Sequence, residues 1–131
     1  MQNAPSLQLT NGVRVVNFSS PHEFNFASGE ILAACDPDRA RDLAMTRTEE
    51  ARPWPGLLGI SAIVPRFQLS TAVVEELEKL QQDAAVDVIL VPFPLLEAIR
   101  AEGMYERYTK AATICLADRV TKAIHTDRFC R

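Results

Sequence analysis

Val86-Asp87-Val88-Ile89-Leu90-Val91-Pro92 is the stretch on which the fold turns. Its short apolar run, closed by a proline, has the pattern of a buried strand. The residues that follow, Pro94 to Glu102, read as a helix ended by Gly103. Ala111 to Ala117 then returns as a further strand, so strand, helix and strand succeed one another. Upstream, Ser70 is a credible N-cap for a helix carrying Val73, Val74, Leu77, Leu80 and Ala84 at helical spacing. Its other side, with Glu75, Glu76, Glu78 and Lys79, has the composition of a solvated face.

Further outward the pattern changes. Val13 to Phe18 is β-branched and aromatic, Ser19-Ser20-Pro21-His22 supplies turn chemistry, and Phe24 and Phe26 share one face of a second short strand. Ile31 to Ala34 follows the turn at Ala27-Ser28-Gly29-Glu30. Asp36-Pro37 opens a short helix with Ala40, Leu43 and Ala44 as a narrow apolar stripe flanked by Arg39 and Arg41. Arg47 to Gly56, with its charges and Pro53-Trp54-Pro55-Gly56, reads as a surface loop. Leu57 to Leu69 is strand-like, and Pro65 assigns it to an edge or a bulge. Taken together these readings predict a single α+β domain over 1–131, with 1–11 flexible: a mostly antiparallel sheet of about five or six strands and about three helices.

Composition narrows the function classes. At 131 residues and 47% hydrophobic content the chain can bury a core without covalent staples. A net charge of −3 favours neither disorder nor duplex nucleic-acid binding. Cys35, Cys115 and Cys130 are widely spaced and lack the Cys-x-x-Cys pairing of zinc or redox motifs, so they are expected to be reduced and incidental. The polar start Met1 to Asn11 lacks the regions of a signal peptide, and no apolar run approaches the ~20 residues that span a bilayer. A cytoplasmic protein with no membrane partner is the expectation. Scattered glycines provide no phosphate-cradling loop, and neither a metal site nor a cofactor is expected.

The last segment, Asp118 to Arg131, is where contact chemistry concentrates. Asp118, Arg119, Lys122, His125, Asp127 and Arg128 supply acids, bases and anion-pairing groups, with Val120, Ile124 and Phe129 as anchors. If Val120 to Thr126 is extended, Arg119, Thr121, Ala123 and His125 line one face and can meet a phosphate. An edge strand charged against aggregation is the plain alternative, and a helix capped by Asp118 is the structural one. His22, in its turn, suits a proton shuttle or a ligand hydrogen bond, although turn histidines are commonly structural. Trp54, between two prolines, reads as an interface anchor or as a loop tryptophan folded back on its core. Phe93, Pro94, Met104, Tyr105 and Tyr108 either line an apolar groove beside the third helix or simply pack it.

Val16-Asn17-Phe18-Ser19-Ser20-Pro21-His22, Asp87-Val88-Ile89-Leu90-Val91-Pro92 and Ala117-Asp118-Arg119-Val120-Thr121-Lys122 together resemble small uncharacterised proteins encoded by tailed bacteriophages and prophages. The resemblance brings context and no catalytic residue. Compact acidic phage proteins without enzyme motifs are frequently inhibitors of host defence, acting in the host cytoplasm by binding a host protein or sequestering a signalling nucleotide. The expected role is therefore a non-enzymatic binding protein that meets its target through Asp118, Arg119, Lys122, His125 and Arg128, with His22 and Trp54. The competing class is a small enzyme on a phosphorylated or nucleotide substrate, with His125 or His22 as acid/base and Arg119, Lys122 and Arg128 as anion clamps. A structural homo-oligomer is the third.

Overall fold

In the computed structural model, which describes residues 3–131, the chain runs β1 (Ser6–Gln8), β2 (Arg14–Asn17), β3 (Phe24–Asn25), β4 (Ile31–Leu32), α1 (Pro37–Asp42), β5 (Thr46–Pro53), β6 (Ser61–Gln68), α2 (Thr71–Gln82), β7 (Val88–Leu90), α3 (Phe93–Ala101) and β8 (Ala111–Ala112). The mixture of helices and strands is as expected, but the strands divide among three small sheets. The central one has the order β1-β2-β7-β8, with β1 antiparallel to β2 and with β7 parallel to both its neighbours. The expected single, mostly antiparallel sheet is thus corrected to a four-stranded sheet with a parallel centre and two separate hairpins, β3–β4 and β5–β6. Connection chemistry is the reason. A parallel neighbour requires a crossover connection, and α3 supplies it between β7 and β8.

Because the central strands are covered on both sides, their apolar residues divide between two cores. On one face Val16, Ile89 and Ala111 pack with Leu43, with Val73, Leu77 and Leu80 of α2, and with Leu95, Leu96 and Ile99 of α3. On the other, Val15 and Leu90 pack with Leu9, Phe26, Leu32 and Ile124. That two-sided burial is why 88–91 is continuously apolar and not alternating. Within 1–11, read as flexible, Ser6 to Gln8 pairs with Val16 to Arg14, while Met1 and Gln2 lie outside the described residues.

Capping follows the sequence closely. Ser70 Oγ accepts from the Val73 N–H at 3.2 Å and Asp36 Oδ1 from the Asp38 N–H at 2.8 Å. Three expectations fail. Of Arg47 to Gly56, read as a loop, only Trp54 to Gly56 lies in a turn, since β5 pairs residue for residue with β6, from Thr46↔Gln68 to Pro53↔Ser61. All of β5 is exposed, so it carries no burial periodicity to read. Ala111 to Ala117 is strand only at its first two residues. Val120 to Thr126 is neither strand nor helix: Asp118 Oδ1 accepts from the N–H groups of Val120 (2.7 Å) and Thr121 (3.2 Å), closing a turn instead.

The chain leaves β2 inside the protein, where its peptide groups need partners. Asn17 is fully buried; its amide donates to the carbonyls of Ser20 and Ala33, both at 3.0 Å, and its Oδ1 accepts from the Ser20 N–H at 2.9 Å. The Cys35 thiol donates to the Asn17 carbonyl. Arg39, expected on the flank of α1, is instead 1% exposed: its Nε donates to the Phe18 carbonyl at 2.8 Å, its Nη1 meets Glu76 at 3.2 Å, and its guanidinium lies 5.7 Å from the Phe18 ring centroid. Replacing Asn17 with Ala removes the side-chain partner of the Ser20 N–H and of the Ala33 carbonyl, while the Ser20 carbonyl keeps the Cys35 N–H, so Asn17→Ala is expected to lower the unfolding free energy by roughly 1–3 kcal/mol. Urea denaturation measures it, and a loss below ~0.5 kcal/mol would mean that water replaces the amide.

Candidate functional site

The expected contact residues stand in three places. Trp54 is 49% exposed on the turn joining β5 to β6. His22 is exposed, and its backbone closes a turn in which Ser20 Oγ accepts from the His22 N–H at 3.1 Å and donates to the His22 carbonyl at 3.2 Å. The remaining ones lie on the C-terminal segment, which is laced into the fold: Ile124 N–H donates to Asn25, Ala27 N–H to Ile124 and His125 N–H to Cys115.

Ile124 and Phe129 anchor that segment as expected, whereas Val120 is 91% exposed. The backbone turns at Lys122, whose φ of +59° breaks any extended run, so the proposed face of Arg119, Thr121, Ala123 and His125 is not formed. Asp118 spends its carboxylate on the turn. Asp127 lies 3.8 Å from His125 Nδ1 and 3.6 Å from Arg128 Nε. Arg119 and Lys122 are exposed and make no ion pair among the described residues. Among those residues, too, no group of three or more His, Cys, Asp or Glu side chains converges as a metal site.

Sheet topology opens a different cavity. Beyond Asn17 the chain passes to β3, on the face of the second core; beyond Leu90 it passes to α3, on the face of the first. Strands that end side by side and send their connections to opposite faces leave a crevice at their carboxyl ends, where open α/β sheets place ligands. Here the crevice has a volume of about 520 Å³ and is bounded by Ser19, Ser20 and Pro21 after β2, Phe24 of β3, Val91 to Phe93 after β7, and Thr113 and Ile114 after β8.

Its chemistry is apolar. No charged side chain lines it, and two of its hydroxyls are engaged, Ser20 with His22 and Thr113 with the Cys130 carbonyl at 3.4 Å. The start of α3 adds little polarity: Pro94 has no N–H, and the N–H groups of Leu95 and Leu96 both bond to the Pro92 carbonyl. Phe93, 64% exposed, stands at the mouth. Apart from Phe93 the sequence reading missed these residues. The signal was there in three strand ends, each followed by a turn or hydroxyl residue: Ser19-Ser20-Pro21, Pro92-Phe93-Pro94 and Thr113. No protein-family model, curated protein or solved structure matches the chain, so the site is read from its own geometry. No helix among the described residues is long and apolar enough to cross a membrane.

Thiol chemistry tests this end of the fold. Thr113 and Cys130 exchange backbone hydrogen bonds of 2.8 and 2.9 Å, which brings Cys130 beside Cys115. Burial pushes the Cys115 thiol above its usual range, and the hydrogen bond and charge of Cys130 add to it. Burial also raises the Cys35 thiol, against the opposing charge of Arg39. Raised values mean less thiolate at pH 8, the reactive form. Iodoacetamide at that pH is therefore expected to label exposed Cys130 first, Cys115 later and Cys35 last, with Cys115 accelerating toward pH 10. Mass spectrometry reads the order, and equal rates at Cys115 and Cys130 would contradict the packing described.

Proposed function

We propose that the protein is a binding protein acting without turnover, an accessory factor of the phage type that its sequence resembles, and that the cleft beyond β2, β7 and β8 receives an apolar segment of a host protein. The lining of the cleft carries this reading. Phe24, Val91, Phe93 and Ile114 offer apolar contact, while no side chain there supplies the charge that a phosphate requires. A volume of about 520 Å³ falls within the range of sites that take small molecules or a few side chains. The Ser19 hydroxyl on the same wall suits a peptide group of such a segment. Inhibition of a host defence protein by occupancy is the corresponding role. A second reading, sequestration of a nucleotide, draws on Arg119 and Lys122, the exposed cations in the 118–123 turn.

Nile red serves as a probe for the apolar cleft. Its emission is expected to rise saturably with the protein, and Phe93→Asp is expected to weaken binding about tenfold without altering circular dichroism. Leu58→Asp, on the β5–β6 turn, controls for dye on that turn and should leave the saturable component unchanged. Emission indifferent to Phe93→Asp would overturn the cleft. Retention of a cyclic dinucleotide in equilibrium dialysis, abolished by Arg119→Ala with Lys122→Ala and not by Phe93→Asp, would establish the nucleotide reading in its place.

A further inference from the structure

Six of the ten exposed large apolar side chains among the described residues belong to β5, β6 and their turn, a concentration that demands a cause. We infer that this two-stranded arm is a self-association surface on which a second copy of the same chain packs its own arm, apolar face to apolar face.

Register sorts the arm into two unlike faces, since directly paired residues share a side. Glu50, paired with Val64, has Arg52 and Arg66 on its side, and its Oε2 accepts from both at 3.1 Å. That face is a closed ionic cluster suited to water. The other pairs Ala51 with Ile63, Glu49 with Pro65 and Arg47 with Phe67. Ile63 is 55% exposed and Phe67 37%, and the turn beyond adds Leu57 and a fully exposed Leu58, whereas Trp54 and Ile60, paired two residues beyond Arg52 and Ala62, fall on the ionic side. The body meets the arm near its base, where Pro65 to Gln68 face α3 across a cleft of about 380 Å³. A lone two-stranded ribbon is marginal in water, so an uncovered apolar face on this one calls for a partner.

The arm's edges limit how the partner can bind. The Trp54 N–H donates to the Ile60 carbonyl at 3.0 Å, which makes 54/60 a hydrogen-bonded pair. Alternation along the ladder then turns the backbone nitrogens of 47, 49, 51 and 53, and of 61, 63, 65 and 67, outward. Pro53 and Pro65 fall at those positions, so each outer edge lacks a donor and strand addition is blunted. Packing through the face remains. At ~150–250 Å² for a whole large side chain, Leu57, Leu58, Ile63 and Phe67 leave roughly 350–600 Å² of apolar surface, about half to three-quarters of the ~800 Å² that one partner contributes to a stable interface, the area of a weak, concentration-dependent dimer.

Charge favours a like partner. Arg47 and Glu49 lie 3.3 Å apart on the apolar face, so the face is neutral overall. A two-fold axis through this pair would let Arg47 of one copy meet Glu49 of the other, the self-complementarity that a symmetric interface requires.

Sedimentation velocity from about 1 to about 100 µM tests the inference directly. The full chain is expected to reach twice its 14.5-kDa mass, with Ile63→Lys and Leu58→Lys each raising the dimer dissociation constant at least about tenfold. Arg66→Ala, on the ionic face, should leave it unchanged. Arg47→Glu should weaken the dimer, and adding Glu49→Arg should restore it. A single-chain mass at the highest concentration, a dimer indifferent to Leu58→Lys, or a complex containing a different protein on the arm would overturn it. None of these variants touches Phe93, so the cleft stands or falls separately.

Discussion

The exit of β2 into the protein interior is the constraint around which the rest is arranged. Peptide groups of the buried Asn17 and Phe18 and of the half-buried Ser20 leave the sheet ladder here, and those shut off from water need fixed partners. Asn17 serves its own turn and the Ala33 carbonyl; Arg39 comes across from α1 to the Phe18 carbonyl and is held there by Glu76 of α2. One layer of polar contacts thereby ties the central sheet, the β4 exit and two helices together. A buried ion pair of this kind adds little net stability over an apolar substitute. What it does here is tie the Phe18 carbonyl, α1 and α2 to one another.

The same exit shapes the cleft. With the turn at Ser19 to Pro21 held from beneath by the Asn17 side chain, and with α3 leaving Leu90 in the opposite sense, the backbone of the crevice walls is fixed, and the exposed Phe93 side chain stands over its mouth. Such a site is pre-formed, and binding to it forgoes much of the ordering cost that loop sites incur. The C-terminal segment contributes as a cover for the second core through Ile124 and Phe129, with Arg131 bonded to the Ala111 and Tyr105 carbonyls while Arg119, Lys122 and Arg128 stay exposed.

Local chemistry was legible in the sequence; long-range pairing was not. Ser70 and Asp36 cap as their residue types dictate, and α2 buries Val73, Leu77 and Leu80 at the spacing read. Direction of pairing depends on what lies between strands. β2 and β7 are joined in parallel across some seventy residues, with no local mark of their partnership. Arg39 misled because arginine on a helix is usually solvated, and only the position of the Phe18 carbonyl makes its burial favourable. β5 misled because charge and proline normally mean loop, whereas here an exposed ribbon uses both: ion pairs on one face, proline at the outward positions of its edges. At the C-terminus, β-branched residues suggested a strand, but the Asp118 carboxylate captured the backbone first.

Thr46 and Gln68 are paired neighbours, so the ribbon begins and ends at the same point of the body. From the standpoint of the core, everything between Met45 and Leu69 is a closed excursion whose only geometric demand is that its two ends meet, apart from the light contact with α3. Lengthening such an excursion costs little, since closure entropy grows only logarithmically with its size. The segment is in effect a cassette. Its sequence can drift, be exchanged or be grafted elsewhere while the sheet, its polar layer and its crevice stay as they are.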